Sequence, residues 1–84
     1  MYTIDIGAPA QGFISKLDKI KKKKILDKIS ELENYPFLGK KLRGRLMGLR
    51  CLRVDEFRVI YTLKDIELLI LVLKVGERRK VYKI

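Results

Sequence analysis

The stretch "FRVIYTLKDIELLILVLKV", Phe57 to Val75, decides the fold class. Phe57, Val59, Tyr61 and Leu63 alternate with Arg58, Ile60 and Thr62, the period of a strand with one apolar and one mixed face. Lys64-Asp65 turns the chain. Ile66 to Val75 is then apolar at both parities, as in a strand covered on both sides, and is expected to be central in its sheet. Upstream, "VDEF" reads as a hairpin loop, with a preceding strand around Leu49 to Arg53; downstream, a short last strand is expected to include Val81.

The amino-terminal half has a different period. "YTIDI" alternates as a strand and Gly7 closes it; Ala8-Pro9 suits a helix start, where proline's missing N–H costs nothing. Phe13, Leu17 and Ile20 recur at helical spacing, as do Ile25, Ile29 and Leu32, but the two sets are out of phase. Two helices joined near Asp18 to Lys21 follow, the second ending by Tyr35 because Pro36 disfavours helical geometry before it. "FLGKKLRG" is a connector. The order is β-α-α-β-β-β(-β): an α+β domain spanning residues 1–84, with a helix pair packed on a small antiparallel sheet.

Composition narrows the function. The 84 residues carry 20 Lys and Arg against 10 acids, a net charge of +10, with 48% apolar content that supports a folded core. Such a charge points to nucleic acid or an acidic protein as partner. It is spread over several elements, which argues against an amphipathic membrane helix, and the longest uncharged apolar run, Leu68 to Leu73, is too short to span a bilayer. With one cysteine, Cys51, and no histidine, neither a disulfide nor a zinc or haem site is expected, and a reducing cytoplasm fits. Cys51 reads as a small buried hydrophobe. Gly39, Gly44 and Gly48 read as loop punctuation.

All seven arginines (43, 45, 50, 53, 58, 78, 79) follow residue 42, while the helical half uses lysine alone. A guanidinium fork binds phosphate in bidentate fashion, whereas helical lysine is often a solvating point charge. "KIKKKK" is therefore either a solvated helix start or a docking strip for RNA backbone. Arg53 and Arg58 flank "VDEF" and become cross-strand neighbours if it forms a hairpin; like charges directly opposite destabilise a sheet, so an anion must compensate. Asp55 and Glu56 are one source, a bound phosphate the other. Arg78, just after the central strand, could complete a three-arginine cluster.

Without histidine there is no imidazole base, and the acids a metal would need are not clustered. An arginine and lysine clamp on a pentavalent phosphate remains, with a tyrosine whose pKa nearby cations could depress. That inventory suits RNA cleavage, in which the substrate's 2′-OH attacks the adjacent phosphate; DNA lacks that nucleophile. Tyr2 and Tyr61 read as sheet packing and Tyr35 as cover for a helix end. Tyr82, in a basic and mainly polar terminus, is either catalytic or solvated.

"KKLRG", "LRCLRVDEFRVIYTL" and "ILVLKVGERRKVY" together resemble the RelE/ParE toxin superfamily, in which a KL-x-G segment, an R-x-R hairpin running into R-V-I-Y, and a terminal V-G-x-R-x-x-V-Y occur in this order. The likeness covers essentially the whole chain and is closest to the RelE branch. It implies a type II toxin–antitoxin toxin, an mRNA interferase that cuts mRNA in the ribosomal A site, without cofactor or metal. It implies that Arg58 and Arg78 stabilise charge on the scissile phosphate, that Tyr82 is the general base on the 2′-OH, and that Arg53 supports them. Arg50, Arg43, Arg45, Arg79 and Lys80 are then expected to bind RNA backbone. An acidic RelB-like antitoxin is the implied partner beside the ribosome and mRNA, with DNA reached only through the antitoxin. Two positions depart from the pattern: Cys51 replaces its first arginine, and Glu77 stands where histidine or lysine is common. Arg50 is adjacent but of the wrong strand parity to replace that arginine without a bulge. The alternatives are a ParE-like toxin acting on DNA gyrase, which usually lacks the tyrosine, and a degenerate RNA-binding relative.

Overall fold

The computed structural model describes residues 1–77 and Val81. β1 (Thr3–Ile6) leads through Gly7 into α1 (Ala8–Ser15), with proline in the first turn as expected. α2 (Lys19–Ser30) starts at Asp18, whose carboxylate accepts the Lys21 backbone N–H at 2.9 Å, which satisfies one of the free donors of a helix start. The helical phase shift is thus resolved by a capped break. A turn of 3-10 helix, Glu31–Glu33, ends the helical half, and Leu32 within it is fully buried.

β2 (Lys40–Lys41), β3 (Arg50–Val54), β4 (Phe57–Lys64) and β5 (Leu69–Glu77) follow. Among the described residues, the strands form one sheet in the order β1-β5-β4-β3-β2. β3 to β5 pair antiparallel as expected, and β2, inside the segment read as a connector, pairs antiparallel with β3. β1, however, joins β5 in parallel, so the sheet is mixed: after β1 the helix pair carries the chain across the sheet, and the meander from β2 to β5 ends beside β1. β5 is interior, between β1 and β4, and β4 takes the middle place.

Three boundaries differ from the sequence reading. The strand expected from Ile66 begins at Leu69, because Asp65 to Leu68 make a turn closed by the Leu68 N–H to the Asp65 carbonyl (3.2 Å). Ile66 is fully exposed there, and apolarity alone does not separate a turn residue from a strand. The connector contains β2, too short to show a period. Val81 has 3-10 geometry and is not extended, so it forms no strand.

Phe57, Val59 and Tyr61 of β4 join Leu52, Val54, Ile70, Val72 and Val75 under Ala10, Ile14, Ile25 and Ile29 of the helices, which makes the main core. Phe13 meets Phe57 edge-on at 5.8 Å between centroids. The opposite face carries a smaller cluster of Cys51, Ile60 and Val81, with Leu42 and Leu49 packed against it. A bulge in β5, where Tyr61 faces Val72 but Ile60 faces Lys74, keeps Val72 and Val75 on the helix side despite their odd spacing. Among the described residues, no helix is long and apolar enough to cross a membrane.

Candidate functional site

The β3–β4 hairpin turns through Asp55 and Glu56, with Asp55 in the left-handed region at φ 53. Arg53 and Arg58 are directly opposite each other, and the other neighbour of Arg58 is Gly76 on β5. Strand alternation puts both arginines on the face away from the helices, level with the Cys51, Ile60 and Val81 cluster. Arg53 is exposed and Arg58 half-buried.

The two turn carboxylates do not answer the arginines. Glu56 pairs with Lys21 (3.6 Å) and Asp55 with Lys24 (3.4 Å), both across the hairpin tip on α2. Among the described residues, the Arg58 Nε is buried without a hydrogen-bond partner. A buried donor left unpaired is costly, and this one is cationic and belongs to a residue paired directly across the strands with another arginine. An anion that accepts from both is the ligand such an arrangement suits, and phosphate matches the fork geometry.

A Cβ on Gly76 would lie 3.4 Å from the Val81 Cβ. The bare strand at Gly76 therefore lets Val81 close over Cys51 and Ile60. Cys51, the departure from the family pattern, is 6% exposed within that cluster, so the face is apolar at this place rather than cationic. Lys74, opposite Ile60, is half-buried on the same face and has an interaction of its own.

Arg50 is not on this face. Its Nη1 donates to the Gly39 carbonyl (2.7 Å) and the Phe37 carbonyl (3.4 Å), and its guanidinium lies 4.9 Å from the Phe37 ring centroid. It ties the connector to β3 and is not brought together with Arg53 and Arg58. Arg43 and Arg45 are exposed in the β2–β3 loop, where Gly44 and Gly48 take the positive φ values the loop needs (65° and 95°). Arg43 lines an open groove with Lys40, Lys41 and Met47. Arg78, Arg79, Lys80 and Tyr82, expected at the site, lie outside the described residues; Glu77 and Val81 bracket the first three.

Neither described tyrosine of the sheet supplies a base. Burial pushes the Tyr61 phenol up, with the Gly39 N–H and the Arg50 charge pulling partly back. Its hydroxyl donates to the Pro36 carbonyl (2.8 Å) and accepts from the Gly39 N–H (2.9 Å). The Tyr2 phenol is also raised, by desolvation and then by Asp65, to which it donates at 3.1 Å. Tyr35 does not cover the helix end: its N–H bonds the Glu31 carbonyl, but the residue is 66% exposed. The ion pairs between α2 and the hairpin tip were not legible in the sequence, because Lys21 and Glu56 meet only through tertiary packing.

The model of the ParE toxin of the type II toxin–antitoxin system parDE matches residues 9–82. The chain belongs to this family, within the RelE/ParE superfamily. It is thus a type II toxin–antitoxin toxin. No curated protein matches it in sequence. Solved RelE structures share its fold. A chain of the toxin–antitoxin complex RelBE2 from Mycobacterium tuberculosis is 25% identical over 92% of this chain and 98% of its own, with a TM-score of 0.84. A chain of the archaeal RelE–RelB complex from Pyrococcus horikoshii is 26% identical over 95% and 98%, TM-score 0.79. The isolated E. coli RelE toxin, 22% identical over 92% and 84% at TM-score 0.79, shares the helix pair on the sheet.

Proposed function

We propose that this toxin is a ribosome-dependent endoribonuclease that cuts mRNA in the A site and so stops translation. The observation that carries it is Arg58, whose buried Nε is unpaired among the described residues, opposite Arg53, while the carboxylates of the hairpin turn are held by lysines. In this reading Arg58 and Arg53 receive the scissile phosphate. The resemblance assigns Arg78 to the same phosphate and Tyr82 to removal of the 2′-OH proton. The 2′-oxygen then bonds to phosphorus, charge on the pentavalent phosphate is met by the guanidinium groups, and the 5′-oxygen departs with the P–O bond pair, leaving a cyclic phosphate. The ribosome supplies substrate order. Arg43, Arg45, Arg79 and Lys80 dock RNA backbone, and an acidic antitoxin of the RelB kind neutralises the basic toxin in the cytoplasm.

The description of the matching family supports a second reading, a ParE-type toxin acting on DNA gyrase. The two separate on expression from a tight promoter, with mRNA 5′ ends and replication followed together. Codon-phased cuts should appear with the wild type and vanish with Arg58→Ala, Arg78→Ala and Tyr82→Phe, each checked for folding. Blocked replication with intact mRNA would sink the nuclease reading and support the second.

A further inference from the structure

α2 places Lys21 and Lys24 one turn apart, beside the buried Ile25, and points both at the hairpin tip, where they hold Glu56 and Asp55. Those carboxylates are two residues from Arg58 and Arg53 along their strands. A carboxylate offers a guanidinium the same two-oxygen fork as a phosphate, so a free acid at the tip competes for the site. We infer that Lys21 and Lys24 are positioning residues: by holding the turn acids they keep Arg53 and Arg58 open to phosphate. The inference rests on the reading of that face as a phosphate site.

Both ion pairs are about half exposed, so they add little to stability, and their removal leaves the hairpin folded. Their effect is on which anion the arginines meet. This gives "KIKKKK" a third role, beside solvation and RNA docking, for two of its members.

A double-mutant cycle on the purified toxin tests this, with a 2′-O-methyl RNA oligonucleotide that presents phosphates but cannot be cut. Lys21→Ala with Lys24→Ala should weaken binding by roughly three- to tenfold, since a factor of this size corresponds to a weak surface pair. Asp55→Asn with Glu56→Gln should bind as tightly as wild type or tighter; asparagine tolerates the left-handed turn. The four changes together should restore wild-type affinity. The Lys23–Asp27 pair, 2.8 Å apart within α2, is the net-charge control, and its cycle should show simple addition. If the acid variants weaken binding like the lysine variants, the bridges are mere struts. If the lysine loss persists with the acids removed, the lysines touch RNA directly; either result overturns the inference. Arg58→Ala separates the levels: unchanged affinity there defeats the phosphate site itself, whereas a loss there without coupling in the cycle defeats only the positioning role.

Discussion

Arg58 holds a cationic donor in a place that folding alone does not favour, half-buried, opposite another arginine and, among the described residues, without an acceptor for its Nε. Replacing it with an unbranched apolar chain removes the unpaired donor and the like-charge contact. Arg58→Met should therefore raise stability by about 1 kcal/mol in urea denaturation while abolishing growth arrest, a trade of function for stability. Tyr61 shows the opposite economy, a buried polar group with both hydroxyl functions satisfied. Because burial raises its pKa, the fold favours the protonated phenol. That stabilisation is whole below the unfolded tyrosine value of about 10 and is lost as pH rises through the higher folded value. Tyr61→Phe should cost about 1–3 kcal/mol at neutral pH. Thermal melts from neutral to strongly alkaline pH should show a smaller alkaline loss in the variant, with the raised Tyr2 and Lys23 accounting for loss common to both.

Elements carry the next set of consequences. α2 depends on Asp18 for its start and on Ile25 and Ile29 for its seat, and through them it sets where Lys21 and Lys24 reach. Asp18→Ala should cost about 1 kcal/mol in chemical denaturation. The connector before β2 is held by Tyr61 and Arg50, and at Gly39 by both: its N–H bonds the Tyr61 hydroxyl and its carbonyl accepts from Arg50. A Cβ on Gly39 would fall 2.7 Å from the Tyr61 ring and 2.9 Å from the Cys51 carbonyl. Gly39→Ala should thus lose about 1–3 kcal/mol by denaturation, since the backbone oxygen on one side leaves little room to give. Gly39 read as loop punctuation in the sequence; its contact with a strand twenty-two residues on was not visible there.

At the scale of the whole molecule, a net charge of +10 sits on a body of 35 × 28 × 21 Å. Raising ionic strength from about 0.01 M to about 0.15 M shortens the screening length from ~30 to ~8 Å, so self-repulsion is damped. The melting temperature should rise over that range while affinity for RNA falls; thermal melts and binding titrations on the same samples check both. Much of the architecture was legible because its signals are local: the period-two pattern around Arg58, the helical spacing broken at Asp18, and the loop read at "VDEF". The opposed pair Arg53 and Arg58 followed once "VDEF" is read as a hairpin turn. The parallel seat of β1 did not, because pairing between the first and last described strands is a long-range event with no local spacing to announce it. Nor did the fate of the charges. Sequence by itself determined a basic α+β chain whose arginines would face each other if "VDEF" turned it back, since alternation and turn chemistry act between near neighbours. Only the tertiary structure decided which acids were free to answer them, because α2 had to fold against the sheet before Lys21 and Lys24 could reach Glu56 and Asp55.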